Sequence, residues 1–255
     1  MTKIYTETFG QGQSIVLVHG WAMHSGIWRV FAKELAKTYQ VTLIDLPGHG
    51  RSDPIAPFTL AAITDAVVEV VGSGQHCWLG WSFGAEVVID VARHFPERVS
   101  QLILLAGTPC FVAKTGWPGI NLQVLNGFAA NLQLDCQGTL FRFLSLQIKG
   151  LENQKIALQE LKTLVFECDQ PDQTCLEAGL AILKETDLRT EFANLTIPVA
   201  LIFGQLDTLV PVAVGGYMKA LLPAINLTVI DRAGHVPFLS HQAAVVQAVC
   251  ESMDN

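Results

Sequence analysis

The sequence predicts an α/β protein built around a mostly parallel sheet with helices on both faces. Its strand-like segments are short, continuous apolar runs, which is typical of strands that are buried on both faces. Helical patterns separate these runs, as the connections between parallel strands require. Half of the 255 residues are hydrophobic and only 15% are charged, which excludes a disordered chain.

Short strands and helices alternate along the chain except in one central stretch. The predicted strands cover Ser14–His19, Val41–Asp45, His76–Gly80, Ser100–Ala106, Ile197–Phe203 and Leu227–Asp231. The predicted helices between and after them cover Thr59–Val71, Phe83–His94 and Gln242–Glu251. Several strands end in Gly or Asp, which fits functional residues at the carboxyl edge of a parallel sheet.

The central stretch lacks a strand-like run and has a helical pattern throughout. Its predicted helices cover Asn121–Leu134, Cys136–Leu146, Asn153–Phe166 and Cys175–Lys184. We therefore predict that residues 111–191 form a helical cap. It is inserted into an α/β core made of residues 1–110 and 192–255.

Charge and residue usage exclude several classes of function. A net charge of −7 argues against general nucleic-acid binding, which needs a basic surface. No apolar run reaches the roughly 18 residues that span a bilayer, and the first residues lack an apolar signal region, so we expect a cytoplasmic protein without membrane contact. The six cysteines form no C-x-x-C pair, and neither a metal-ligand cluster nor a dinucleotide-binding pattern occurs, so no metal or cofactor is expected.

A candidate nucleophile lies between a predicted strand and a predicted helix. Gly80-Trp81-Ser82-Phe83-Gly84 matches Gly-x-Ser-x-Gly, the pattern in which a sharp turn exposes a nucleophilic serine at the edge of an α/β sheet. The two glycines leave room for the turn, and the following helix directs its N-terminus to the same point. The alternative is a glycine-rich helix entry in which Ser82 is only the N-cap.

A serine hydroxyl needs a base to take its proton, and in this arrangement the chain order is serine, acid, histidine. His235 follows the last predicted strand and is the preferred base, whereas His241 is interpreted as a solvated residue at a helix start. Asp207 follows the strand before it and is the preferred acid, with Asp231 as its rival. We therefore predict that Asp207 orients His235, which activates Ser82.

Acyl transfer also needs hydrogen-bond donors for the oxyanion of the tetrahedral intermediate. The backbone N–H of Phe83, directly after the nucleophile, is one predicted donor. The N–H of Trp21, in the loop after the first predicted strand, is the second. His19 is expected to brace that loop, and Asp45 is interpreted as structural. The remaining histidines are expected at the surface or in turns: His24, His49, His76 and His94.

These segments together resemble the α/β-hydrolase superfamily, in the family's order and over nearly the whole chain. The matching segments are His19-Gly20-Trp21, Asp45–Ser52, Gly80–Gly84, Gly204–Asp207 and Gly234-His235. Within that superfamily the chain is similar to the pimeloyl-[acyl-carrier protein] methyl ester esterases of biotin synthesis. The closer similarity is carried by Gly20–Met23, Gly80-Trp81-Ser82, the compact length and the cap segment Phe141–Gln147. The resemblance implies an α/β-hydrolase fold with an inserted helical cap.

The resemblance also implies a substrate, namely the methyl ester of pimeloyl carried on acyl carrier protein, which is cleaved with release of methanol. It further implies a set of substrate-binding residues: Trp21, Ser82, Phe83, Phe143, Leu144, Ser145, Leu146, Gln147 and His235. The apolar cap residues from Phe141 to Leu146 suit a channel for a seven-carbon chain. The alternative is that they only pack the cap onto the sheet.

Acyl carrier protein is acidic, so its docking face on this chain is expected to be basic. Between residues 140 and 165 the basic residues outnumber the acidic ones by two, and they are Arg142, Lys149, Lys155 and Lys162. An ordinary solvated helix face is the alternative explanation. We expect the chain to act as a monomer.

Other functions of the same fold remain as alternatives. Ser82 speaks against haloalkane dehalogenases and epoxide hydrolases, which use a carboxylate nucleophile. A general short-chain carboxylesterase or lipase is the main alternative, and a hydrolase of carbon–carbon bonds keeps the same serine. A non-catalytic ligand-binding homologue is disfavoured because all three triad positions are filled.

Overall fold

The structure is a computed structural model that describes residues 2–148, 154–168 and 171–254. Within these ranges a seven-stranded sheet forms the centre of the molecule. Its strands are β1 (Thr6–Phe9), β2 (Ser14–Val18), β3 (Gln40–Ile44), β4 (His76–Trp81), β5 (Val99–Leu105), β6 (Val199–Gly204) and β7 (Asn226–Ile230). They lie in the order β1-β3-β2-β4-β5-β6-β7, with β1 antiparallel to β3 and the other neighbours parallel. The prediction of a mostly parallel sheet is confirmed.

Eleven α-helices surround and extend this sheet within the described ranges. They are α1 (Arg29–Leu35), α2 (Leu60–Val71), α3 (Phe83–His94), α4 (Leu122–Leu134), α5 (Cys136–Gln147), α6 (Gln154–Val165), α7 (Gln173–Glu185), α8 (Arg189–Ala193), α9 (Ala213–Leu221), α10 (Pro237–Ser240) and α11 (Gln242–Met253). No helix among the described residues is both long enough and apolar enough to cross a membrane. Helix α2 begins after Thr59, whose hydroxyl accepts from the Ala62 N–H and so caps the helix.

The order of the strands explains why helices cover both faces. The chain runs from β2 through α1 to β3 in one direction across the sheet, and then back past β2 through α2 to β4. Because parallel crossovers are right-handed, this reversal puts α1 on the opposite face from α2 and α3. Helix α1 accordingly contacts α11, and α2 contacts α3. The strands next to the reversal point, β2 and β4, are almost wholly buried.

The helical segment, defined here as the described part of residues 111–191, lies between β5 and β6. It contains α4 to α7 and the start of α8, close to the predicted helix bounds. Isolated bridges join Val112 to Ile120 and Lys114 to Trp117 before the first of these helices. The division of the chain into a core and a cap at residues 111 and 191 stays a prediction.

Hydrogen bonds attach the helical segment to the sheet and its loops. The Trp21 indole donates to the Leu176 carbonyl at 2.9 Å, and the His24 ring bonds the Leu164 carbonyl at 2.7 Å. The Asp172 N–H donates to the Gly48 carbonyl at 2.9 Å. The His235 N–H donates to the Gln147 carbonyl at 3.2 Å. These attachments bring the helical segment over the carboxyl edge of the sheet, where Ser82 lies.

Candidate active site

Ser82 occupies a sharp turn between β4 and α3. Its φ of +56° lies in the left-handed region that only a few per cent of non-glycine residues adopt. The two flanking positions must be glycine for steric reasons. A Cβ on Gly80 would lie 2.3 Å from the Gly84 oxygen, and a Cβ on Gly84 would lie 2.4 Å from the Val18 oxygen. The turn therefore fits between β2 and α3 only without side chains at these two positions. It places the Ser82 hydroxyl at the N-terminus of α3.

A chain of two hydrogen bonds joins Ser82 to His235 and Asp207. His235 Nε2 lies 2.9 Å from Ser82 Oγ, and His235 Nδ1 lies 2.7 Å from Asp207 Oδ2. The other carboxylate oxygen of Asp207 accepts the N–H groups of Leu209 and Val210 at 2.8 and 3.0 Å. An ionised carboxylate only accepts, so Nδ1 carries the imidazole proton and Nε2 accepts from the serine hydroxyl. All three side chains are buried, as a low-dielectric site for charge transfer requires.

The rival acid and base lie elsewhere. Asp231 is exposed directly after β7, and the described residues contain no hydrogen bond from it to His235. His241 is half-buried before α11, and its ring pairs with the Ser240 hydroxyl. The structure therefore brings Asp207 and His235, and neither rival, to Ser82.

The two predicted oxyanion donors flank the nucleophile. Phe83 is the first residue of α3, so its N–H has no acceptor within the helix. The loop that carries Trp21 approaches the same point, because a Cβ on Gly20 would lie 3.2 Å from the Ser82 Cβ. Within the described ranges neither backbone N–H donates a hydrogen bond. The helix dipole of α3 adds a partial positive charge where an oxyanion would form.

Apolar side chains from the loops and the helical segment line a cavity against Ser82. Its lining residues are Ser82, Phe111, Ile120, Leu125, Phe128, Phe143, Leu180, Leu183 and Leu209. Phe143 also packs edge-on against the Trp21 ring, with the ring centroids 4.8 Å apart. The serine therefore faces a hydrocarbon-lined space on the side of the helical segment.

The model of a family described as having the alpha/beta hydrolase fold matches residues 13–242. The chain belongs to the α/β-hydrolase family. Solved structures share its architecture. An esterase from Exiguobacterium antarcticum superposes with a TM-score of 0.90 at 21% identity, covering 100% of this chain and 96% of that one. A thermophilic esterase from Thermogutta terrifontis gives a TM-score of 0.85 at 21% identity, covering 99% and 93%.

Curated relatives match along nearly their full length. A protein of Edwardsiella ictaluri (strain 93-146), named pimeloyl-[acyl-carrier protein] methyl ester esterase, is 39% identical over 255 residues, which is 100% of this chain and 98% of the relative. A protein of the same name from Salmonella newport (strain SL254) is 39% identical over 250 residues, covering 98% and 97%.

In this hydrolase the predicted segment from Phe143 to Gln147 lies in α5, and it divides between two faces of that helix. Phe143, Leu144 and Gln147 are buried, Leu146 is half-buried, and Ser145 is exposed. The Ser145 hydroxyl donates to the Phe141 carbonyl one turn earlier. At 3.6 residues per turn, five consecutive residues cannot all face one site. Ser145 therefore lies on the solvent face of α5, and its contact with substrate stays a prediction.

Gln147 has an unusual environment at the end of α5. Its side chain is 1% exposed, and neither its amide nitrogen nor its amide oxygen has a hydrogen-bond partner among the described residues. Its backbone carbonyl accepts from the His235 N–H. Because buried polar groups are otherwise satisfied, this amide is available to hydrogen-bond a polar ligand.

Three of the four predicted basic residues lie on α5 and α6 of the helical segment. Arg142 on α5 is exposed, 3.8 Å from Asp135, and Lys155 on α6 is exposed. The Lys162 ammonium lies over the Phe141 ring at 4.5 Å from its centroid. Lys149 lies outside the described residues.

His19 and Asp45 brace the loops around the site, as predicted. The Leu46 N–H donates to His19 Nε2 at 2.9 Å, so Nδ1 carries the proton and donates to the Gly20 carbonyl. The buried Asp45 carboxylate accepts from the N–H groups of Ser25 and Arg51. These bonds hold the Gly20–Trp21 loop against the loop after β3.

The expectation for one other histidine is corrected. His24 is buried and lies outside a turn, whereas His49 is buried but does lie in a turn, as predicted. His24 accepts the Gly26 N–H and reaches the Leu164 carbonyl, so it joins the core to the helical segment. No local pattern marks this role, because the two bonded residues are 140 positions apart.

One buried acid lies close to the site without taking part in it. Glu86, on the first turn of α3, is fully buried, and both of its oxygens lack a partner among the described residues. Burial raises its pKa well above the usual value for a carboxyl. The described residues contain no cluster of histidine, cysteine and acidic side chains arranged to bind a metal.

Proposed function

We propose that this chain is a serine carboxylesterase that hydrolyses the methyl ester of pimeloyl-[acyl-carrier protein]. The observation that carries the proposal is the buried hydrogen-bonded chain from Ser82 through His235 to Asp207, with distances of 2.9 and 2.7 Å. The full-length identity of 39% to relatives with that name supports this choice of substrate.

In the first half of the reaction, Ser82 Oγ attacks the ester carbonyl carbon while His235 Nε2 takes the hydroxyl proton. The Asp207 carboxylate stabilises the imidazolium that forms. The N–H groups of Phe83 and Trp21 donate to the oxyanion, and each such donor contributes about 3–4 kcal/mol in the transition state. Collapse breaks the bond to the methoxy group, which leaves as methanol with the proton from His235.

In the second half, water hydrolyses the acyl-enzyme. His235 takes a proton from the water, whose oxygen attacks the acyl carbon, and the oxyanion again lies at the N–H groups of Phe83 and Trp21. Collapse returns the proton to Ser82 Oγ and releases a free carboxylate. The same three side chains therefore serve both half-reactions.

We propose that the helical segment acts as a cap that binds the acyl chain. Its Phe128, Phe143 and Leu180 face Ser82 and offer a surface suited to methylene groups. The unpaired amide of Gln147 supplies a hydrogen bond for an ester oxygen. In this arrangement the acyl chain contacts apolar side chains, and the ester group contacts a polar one.

We propose that acyl carrier protein docks on the outer face of this cap, at Arg142, Lys155 and Lys162. These cations lie on neighbouring helices, α5 and α6, which contact one another. A basic patch on a chain of net charge −7 steers an acidic partner to one face. The monomeric state and the cytoplasmic location remain predictions from the sequence.

Ser82→Ala tests the proposed reaction. Purified enzyme is mixed with the pimeloyl methyl ester on acyl carrier protein, and loss of the methyl group is followed by mass spectrometry. The wild type should convert the ester to the free acid, and Ser82→Ala should reduce kcat by a factor of about 10⁴ or more, since the nucleophile is removed.

Two outcomes separate the proposal from its alternatives. Hydrolysis of p-nitrophenyl esters without turnover of the carrier-bound ester would identify a general short-chain carboxylesterase. Absence of Ser82 labelling by a fluorophosphonate probe would identify a chain without an activated nucleophile. Either result would contradict the proposed function.

A further inference from the structure

Trp81 connects the strand that carries the nucleophile to the loop that carries the base. It is the last residue of β4, directly before Ser82, and its side chain is buried. Its indole N–H donates to the backbone carbonyl of His235, with an Nε1–O distance of 2.8 Å. One side chain therefore joins residues that are 154 positions apart, at the two elements that must meet for proton transfer.

The indole ring is held in a fixed place by other aromatic rings. Its centroid lies 5.1 Å from that of Phe238 and 6.1 Å from that of Trp28, both edge-on, and 5.7 Å from the His235 ring. These partners are buried. Because the rings exclude water, the hydrogen bond to His235 has no solvent to replace it, and its loss would leave a carbonyl unpaired.

The backbone of His235 is bound on both sides. Its N–H donates to the Gln147 carbonyl in the helical segment, and its carbonyl accepts from Trp81 in the core. The residue sits in the irregular stretch between β7 and α10, where no helix or sheet ladder fixes it. Its imidazole must nevertheless stay within 2.9 Å of Ser82 Oγ and 2.7 Å of Asp207 Oδ2.

We propose that Trp81 is a positioning residue for the reaction: through the carbonyl of His235, its N–H holds the imidazole at the distance that proton transfer from Ser82 needs. The inference rests on the proposed function, since it assigns Trp81 a part in that chemistry. It predicts that the N–H group, and not merely the bulk of the ring, determines kcat.

Trp81→Phe in the full chain tests this, with Trp28→Phe as the matched control. Trp28 belongs to the same aromatic cluster and is equally buried, but its Nε1 has no hydrogen-bond partner among the described residues. Both substitutions remove an indole from one cluster, and only the first removes a hydrogen bond. The readouts are kcat and KM for p-nitrophenyl acetate, the rate of Ser82 labelling by a fluorophosphonate, and Tm.

We expect Trp81→Phe to lower kcat and the labelling rate by about tenfold to a hundredfold with KM within twofold of the wild type, because small misplacements of a catalytic group have effects of that size. Trp28→Phe should leave kcat within twofold, while both variants lower Tm. A kcat for Trp81→Phe equal to that of the wild type, or an equal loss in Trp28→Phe, would overturn the positioning role.

A second variant keeps the test decisive if Trp81→Phe does not fold. Replacing Trp81 alone by 3-benzothienylalanine keeps the fused ring and exchanges the N–H for sulfur. The same loss of kcat supports the proposal, and an unchanged kcat refutes it. A wild type that neither hydrolyses p-nitrophenyl acetate nor reacts with the probe would instead refute the proposed function, and the inference with it.

Discussion

Asp207 uses its two carboxylate oxygens for different purposes. One oxygen holds His235 Nδ1, and the other is fixed by the N–H groups of Leu209 and Val210. An amide NH₂ that faced Nδ1 would force the opposite imidazole tautomer, whose Nε2 cannot accept the serine proton. The alternative orientation would turn the NH₂ against the N–H groups of Leu209 and Val210. Asp207→Asn should therefore lower kcat for p-nitrophenyl acetate by a factor of about 10⁴.

Asp231→Asn is the control for that prediction, because Asp231 is an exposed acid on the adjoining segment of chain. Its kcat should stay within twofold of the wild type. A large loss of activity in Asp231→Asn together with normal activity in Asp207→Asn would show that the acid has been misassigned.

Glu86 should make the protein less stable as the pH rises. Burial raises its folded pKa, so the folded state retains a proton that the unfolded state loses above a pH of about 4.5. The free energy of unfolding should therefore fall as the pH rises from that value toward the folded pKa. Glu86→Gln should remove this dependence, so its stability relative to the wild type should increase as the pH rises toward 8.

Urea unfolding at several pH values between 4.5 and 8 measures this effect. Glu69→Gln, a change to an exposed glutamate on α2, is the matched control and should follow the wild-type curve. Parallel curves for the wild type and Glu86→Gln would contradict the prediction.

At the scale of elements, α5 and α6 carry the proposed docking face. Reversing Arg142, Lys155 and Lys162 to glutamate should lower kcat/KM for the carrier-bound ester by about tenfold or more at low salt, through slower association. Turnover of p-nitrophenyl acetate should stay within twofold, since that substrate needs no protein partner. Steady-state kinetics on both substrates measures the difference.

A matched reversal of three exposed lysines of the core controls for net charge. Lys33 and Lys37 lie in and just after α1, and Lys219 lies in α9. Their change to glutamate should affect the carrier-bound ester much less. An equal loss in both triple variants would show that the helices do not form the docking face.

The sequence predicts those helices and strands whose ends are marked by local residues such as glycine and proline. Helix α3 follows its predicted bounds, because a glycine-flanked turn starts it and Pro96 follows its end. Strand β1 and helix α9 have no such signal. Strand β1 is an antiparallel edge strand of only four residues. Helix α9 contains Gly215 and Gly216, and glycine normally disfavours a helix. A Cβ on Gly215 would lie 2.9 Å from Leu227, so packing against β7 explains the first glycine.

The candidate site was predictable where chain order and loop position carry the information. Ser82, Asp207 and His235 each follow a strand, and parallel strands bring their carboxyl ends together. The hydrogen bonds from Trp81 to His235 and from His24 to Leu164 join residues far apart in sequence. Only the folded chain reveals such pairs.

At the scale of the whole molecule, buried histidines make the fold sensitive to acid. Burial lowers the pKa of His19 to about 3 and also lowers that of His49. Both rings stay neutral in the folded state, whereas the unfolded chain takes up protons below a pH of about 6.5. The free energy of unfolding should therefore fall as the pH drops below that value.

His49→Gln should weaken this acid sensitivity. Removing one such group makes the loss of stability shallower by up to about 1.4 kcal/mol per pH unit below pH 6.5. Chemical unfolding between pH 7.5 and 5 measures the slopes, and His94→Gln, which changes an exposed histidine at the end of α3, is the control. Identical slopes for His49→Gln and the wild type would contradict the prediction.

The four hydrogen bonds that attach the helical segment to the core use only main-chain groups on the side of that segment. On the side of the helical segment they involve the carbonyls of Gln147, Leu164 and Leu176 and the N–H of Asp172, all of them main-chain groups. Substitutions there that preserve the helices leave these joints intact. Evolution can therefore exchange the side chains that line the cavity against Ser82, while the main-chain joints to the core are kept.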